Sequence, residues 1–159
     1  MAAAVLLALA VGGLLASGTL SGGDGESSSG TETSADPGSK PTETEVRSLV
    51  QTFADIYGSK DPAGLERILT PDFMQRQGSD TVDRKGAIDQ YRKQIRRLES
   101  PSLALDIDSI QTKKREATAQ GRAILTANNA APEGGDISFH VVKVQSTLLI
   151  DGITLKPDG

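Results

Sequence analysis

The feature that most limits what this chain can fold into is a change of hydrophobic period at Pro101. From Thr42 to that point apolar residues recur every three or four positions, the spacing of one helical face. Beyond it they alternate, the spacing of a half-buried strand. Helices that come first and strands that come last bury their apolar faces by packing on each other, so the class is α+β, with helices covering an antiparallel sheet.

Thr42 and Glu45 form a capping box, in which hydroxyl and carboxylate satisfy donors that a first helical turn leaves unpaired. Val46, Leu49, Val50, Phe53, Ala54 and Tyr57 then share one helical face, and Gly58 is the expected stop. Asp61 and Pro62 start a short second helix through Leu65, Ile68 and Leu69, which Thr70 and Pro71 end. Phe73 and Met74 begin a short strand, and a polar turn follows around Gly78. Asp83 caps a third helix, whose residues Ala87, Ile88, Tyr91, Ile95 and Leu98 keep the helical period up to Ser100.

Leu103, Leu105 and Ile107 alternate with polar or small residues, and from Glu116 to Ala127 one face is Ala117, Ala119, Gly121, Ala123, Leu125 and Ala127. The inward side of that strand is unusually small. Apolar residues occupy odd positions at Ile137, Phe139 and Val141, then even ones at Leu148 and Ile150. Two readings account for the switch. A hairpin centred on Gln145 and Ser146 pairs Val144 with Thr147, Val141 with Ile150 and Phe139 with Gly152. Alternatively, one long strand turns at Asp151 and Gly152. The first is preferred, because the second leaves a last strand of only a few residues.

Residues 1–41 are of another kind. Ala2 to Leu15 is apolar and free of charge, with the character of a signal-peptide core. Extended to Leu20, the run approaches the length of a membrane anchor. The absence of Lys or Arg before it would be explained by a start codon further upstream. Residues 1–20 are therefore expected to be a signal peptide or membrane anchor, residues 21–41 a low-complexity linker, and residues 42–159 the folded domain. The localisation expected is extracytoplasmic, either membrane-anchored or secreted.

Asp24, Glu26, Glu32, Asp36 and Glu43 against Lys40, in the stretch up to Glu43, carry the whole formal charge of −4. The rest of the chain is balanced and lacks the basic footprint of a nucleic-acid binder. No cysteine is present, which excludes disulfides, thiolate metal sites and thiol nucleophiles. No metal site can be assembled around the single histidine, and no motif implies a cofactor.

The run Phe53-Ala54-Asp55-Ile56-Tyr57-Gly58-Ser59-Lys60-Asp61-Pro62-Ala63-Gly64-Leu65 resembles the passage between the first two helices of the nuclear transport factor 2-like family. Thr70-Pro71-Asp72-Phe73 resembles the segment entering its first strand, and Gly86-Ala87-Ile88 the start of its third helix. Ile150-Asp151-Gly152-Ile153 is similar to the closing strand of many extracytoplasmic members, with Leu148 where a bulky aromatic commonly stands. The resemblance implies a cone-shaped, curved antiparallel sheet wrapping three N-terminal helices. It also implies a pocket bordered by Phe53, Tyr57, Tyr91, Ala119, Gly121, Ala123 and Phe139, unless the helices pack closely on the small strand face. Family members frequently dimerise through the sheet, where Val142 and Leu149 would add apolar surface.

Isomerase, dehydratase and cyclase relatives use a pocket acid or histidine together with tyrosines, which makes Tyr57, Tyr91, Asp72 and His140 the catalytic candidates. Against this, Gln75, Arg76 and Gln77 occupy the strand where an isomerase-like base would be expected, and His140 with Asp151 reads as an exposed cross-strand pair. The resemblance thus implies either a non-enzymatic binding module, taking a small apolar ligand or a protein partner, or a small pocket enzyme. Arg92, Lys93, Arg96 and Arg97 form a basic patch expected to be joined by Lys113, Lys114 and Arg115, which would suit anionic headgroups or an acidic partner.

Overall fold

A computed structural model describes residues 39–128 and 130–158; the expectations for residues 1–38 lie outside them. The described residues form α1 (Glu43–Ser59), α2 (Pro62–Ile68), β1 (Leu69–Gln77), β2 (Asp80–Asp83), α3 (Arg84–Ile95), β3 (Ser102–Lys113), β4 (Glu116–Thr126), β5 (Glu133–Val144) and β6 (Thr147–Pro157). A curved six-stranded sheet in the order β2-β1-β6-β5-β4-β3 carries the three helices. Every neighbouring pair is antiparallel except β1 and β6, which run parallel. A parallel pair needs a long crossover, and the whole chain between β1 and β6 supplies it.

The capping box opens α1 as expected: the Thr42 N–H donates to Glu45 Oε2 at 2.7 Å, and the Glu45 N–H donates to Thr42 Oγ1 at 3.2 Å. Gly58 does not stop the helix. Lys60 takes the left-handed conformation instead (φ 57°), and the Asp61 N–H closes on the Ile56 carbonyl at 3.1 Å. Asp61 stands at the N-cap of α2 without a side-chain bond to it, while Asp83 caps α3 through the Gly86 N–H at 2.8 Å. The third helix ends at Ile95, short of Ser100, and Leu98 reaches the core from the following turn. Residues 80–83 pair with β1 as a short edge strand that their polar composition concealed.

The β5–β6 turn lies at Gln145 and Ser146, with Val144 opposite Thr147 and Val141 opposite Ile150. Further along, the expected pairing of Phe139 with Gly152 is corrected by one residue: Phe139 faces Ile153 and His140 faces Gly152. The inward residues of β6 are Ile150, Ile153 and Leu155, which pass from even to odd positions. A bulge at Asp151 lets both sets face the core.

Val46, Val50 and Phe53 of α1 are buried over the sheet together with Phe139, Val141 and Ile150. Phe139 meets Phe53 edge-on, with ring centroids 5.4 Å apart. Lys143 points inward from β5 and is buried against α1, pairing with Glu45 Oε1 at 3.6 Å and donating to Ser39 Oγ at 2.9 Å. Hydrogen bonds from Thr42, and secondarily Lys143, hold the Glu45 carboxyl below its usual range.

Gly121 does not border a pocket on the inner face. A second bulge, in β3 near Asp108, carries the neighbouring backbone over it, and a Cβ there would lie 1.9 Å from the Asp106 carbonyl oxygen. Gly121→Ala therefore forces β3 away from β4. The expected loss is about 1–3 kcal/mol of overpacking or more, read as a lower urea midpoint, and a variant as stable as the parent would contradict this approach.

Candidate functional site

Where the helices meet β1 and β6, a cavity of about 20 Å³ remains, room for roughly one water molecule. Most of its wall is apolar: Phe53, Leu65, Leu69, Phe73, Ala87 and Ile153. The exceptions are Tyr57, Gln75, Tyr91 and Gln94. Of these, Tyr91 is satisfied, its hydroxyl donating to the Ile56 carbonyl at 2.7 Å near the end of α1. The Tyr57 hydroxyl, Gln75 Nε2 and Gln94 Nε2 are buried without a hydrogen-bond partner among the described residues.

Local structure explains how these groups arrive there. Tyr57 lies one turn beyond Phe53 on the core face of α1, and Gln94 stands three residues after Tyr91 on α3. On β1 the alternation that sends Met74 and Arg76 outward turns Phe73 and Gln75 inward. Gln75 is 5 % exposed and Tyr57 is 2 % exposed. A buried donor left unpaired costs about 1–3 kcal/mol, so three on the side chains lining one small space favour an acceptor there.

The tyrosine hydroxyls are held in the neutral form. Burial, and then the neighbouring Tyr91, pushes the Tyr57 phenol well above its usual range. Burial, and then the Asp61 carboxylate, pushes Tyr91 up to about 12. The two rings lie 5.1 Å apart at 52°.

The other sequence candidates are elsewhere. Asp72 is exposed and does not converge with the tyrosines. It borders a groove of about 280 Å³ on the outer face of the sheet, with Arg76, Ser138, His140 and Asp151. His140 Nδ1 lies 3.2 Å from Asp151 Oδ2, while Asp151 Oδ1 accepts from Thr70 Oγ1 at 2.8 Å. The other imidazole nitrogen lies 3.8 Å from Glu116 and so is not directed at Ser138 as a base would be.

Ala119, Ala123 and Phe139 are fully buried in the core and do not border the cavity, which only Phe53, Tyr57 and Tyr91 among the expected pocket residues reach. Ala117, Ala119, Gly121, Ala123 and Leu125 of the small β4 face are buried, and none of them lines the cavity. Val142 and Leu149 sit opposite one another, both half-buried, on the outer face of the sheet, which also carries Thr118, Gln120, Ser138 and Thr154. Met74 and Ile124 are exposed apolar residues at outward positions of the same sheet. Among the described residues no three His, Asp or Glu side chains gather to hold a metal.

No family model matches the sequence, and no curated protein sequence matches it. Solved structures do. A nuclear transport factor 2-like protein of unknown function from Shewanella oneidensis superposes with a TM-score of 0.64 at 13% identity, over 71% of this chain and 97% of that one. A nuclear transport factor 2 superfamily protein from Salmonella enterica gives 0.62 at 14% identity, over 73% and 90%. The fold is nuclear transport factor 2-like. A protein of unknown function from Nostoc punctiforme, described as cystatin-like in fold, matches equally well, with a TM-score of 0.62 at 12% identity over 73% and 90%.

Within this nuclear transport factor 2-like fold, Gln75 and Gln94 are the site residues that sequence reasoning missed. The signal for Gln75 was present, since alternation from Phe73 places it inward. A buried phenol that resists ionisation ties stability to alkaline pH: unfolding releases protons once the pH passes the unfolded value near 10.0. The contribution is complete below that pH and falls as pH rises toward about 12. Thermal melts should therefore lose stability above pH 10.0, and Tyr57→Phe should lose less over the same range. Equal slopes for the two proteins would show that Tyr57 is not shielded.

Proposed function

We propose that this domain is a non-catalytic binding module, held outside the cytoplasm by its N-terminal segment, whose site is the cavity between Tyr57, Gln75 and Gln94. One observation carries the reading: three buried donors without partners among the described residues belong to side chains that line one small, largely apolar space. Such groups are satisfied by an oxygen lone pair supplied from outside the chain. The ligand class that fits is a small, largely apolar molecule with a neutral acceptor oxygen, such as a carbonyl or ether. Among the described residues no cation lines the cavity to offset the burial of a carboxylate.

As it stands, the cavity takes little more than the acceptor atom. The body of the ligand would lie beside Gln94, the one lining residue that is not fully buried. An isomerase or dehydratase would need a proton carrier beside the substrate, and the neutral amide of Gln75 occupies that strand position. The apolar stretch from Ala2 to Leu15 supports export or anchoring.

Native mass spectrometry of the chain purified from its own host tests the reading. It should show a retained small neutral molecule that Gln75→Leu releases. A ligand retained equally by Gln75→Leu, or a bare chain from every preparation, would contradict it.

A further inference from the structure

The end of the domain where the chain arrives from residues 21–38 carries a tip that the cavity does not use. Ser39 is held there by the Lys143 ammonium at 2.9 Å. The Lys143 N–H also donates to the Arg115 carbonyl at 2.7 Å, which sets the β3–β4 turn beside the β5–β6 turn and the arriving chain. Lys113, Lys114 and Arg115 in that turn are exposed, as is Lys40. Among the described residues none of these four cations makes an ion pair. The acids of the same end are engaged: Glu43 pairs with Arg47, and Glu45 with Lys143. Among the described residues only Glu116 adjoins the turn as a counter-charge. Val144, 49% exposed, stands at the tip of the neighbouring hairpin.

The basic cluster of α3 is a separate feature, contrary to the joined patch the sequence suggested. Arg92 is paired with Glu66 and Asp89, and the turn after α3 meets Lys60 and Asn128 at the opposite end of α1 and the sheet.

We propose that the tip formed by Lys40, Lys113, Lys114, Arg115 and Val144 docks on an anionic lipid surface. The occupant is argued from where the chain outside the described residues ends. If residues 2–15 hold the protein at a membrane, as the functional reading has it, residues 21–38 deliver the domain to that membrane at this tip. A low-complexity linker of that length, as the sequence reads it, would span about 25 Å on average, which keeps the unpaired cations close to headgroups. Each cation near an anionic surface favours docking by roughly fivefold, and an exposed valine beside them suits the interface. Tyr57 lies roughly 20 Å along α1 from Thr42, so docking turns the cavity away from the membrane toward water.

The chain has no cysteine, so a single label reports position. The full chain carrying Ser146→Cys at the tip, or Ala131→Cys at the far β4–β5 loop, is labelled with a fluorophore. It is reconstituted in vesicles of phosphatidylcholine, alone or mixed with phosphatidylglycerol, that contain a headgroup-linked quencher. The proposal expects quenching at position 146 and not at 131, only with phosphatidylglycerol. Lys113→Gln, Lys114→Gln and Arg115→Gln together should lower the docked-to-free ratio roughly 100-fold, and salt should weaken it likewise.

Equal quenching at both positions, or quenching indifferent to the lipid or to the three substitutions, overturns it. So does quenching that emerges only when Asp24, Glu26, Glu32 and Asp36 are neutralised, since those acids would then be the partner of the turn. A chain that fails to float with vesicles of either composition defeats the membrane reading itself, whereas flotation without quenching at 146 defeats the docking alone.

Discussion

The inner face of the sheet depends on one extra residue, Asp151, in the last strand. A strand shows alternate residues to each side, so a slip of one position exchanges core for solvent. Ile150 faces inward on one side of the bulge, and Ile153 and Leu155 on the other. Without it, Gly152 would lie under Phe139 and the two aliphatic residues after it would face water. The bulge is held by both oxygens of its own carboxylate, one bonded to the Thr70 hydroxyl on β1 and the other to the His140 ring on β5. Three strands are thus tied at one point, which gives the only histidine a structural role that needs no catalysis.

That register also places the cavity. Gln75 on β1 is aligned with Ile153 on β6, so the residue that completes the core on one strand stands beside the amide that interrupts it on the next. Most of the interior follows the rule that buried polar groups find partners: the Tyr91 hydroxyl caps the end of α1, and Lys143 meets Glu45 and Ser39. The exceptions on the cavity wall gather in one place. Arg84 Nε, Gln90 Oε1 and Glu133 Oε2 are also buried without a partner among the described residues, but on residues outside the cavity wall, whereas the three donors of the wall belong to one small space.

Much of the fold was legible in the sequence because its strongest signals are local and redundant. The capping box at Thr42, the apolar stripe from Val46 to Tyr57 and the alternation from Ala117 to Leu125 each point to one element and one face. The Gln145–Ser146 turn was legible from the change of parity at Leu148. A second change, from Ile150 to Ile153, carried the bulge in the same way, but the resemblance of Ile150-Asp151-Gly152-Ile153 to a continuous strand masked it. Edge strand β2 was not legible, since Asp80 to Asp83 pairs through backbone alone and has no apolar period. The site was harder still. Tyr57 and Tyr91 read as one pair, yet only tertiary contact decides which hydroxyl meets a carbonyl and which is left without a partner. Asp72, close to them in sequence pattern, lies on the other side of the sheet.

A crystal structure of the chain at a resolution that places ordered solvent tests the central claim most directly. The account predicts an oxygen atom, from water or from a bound molecule, within hydrogen-bonding distance of the Tyr57 hydroxyl and of both the Gln75 and Gln94 amides. A dry cavity in which the hydroxyl and the two amides have turned to partners within the chain would contradict it.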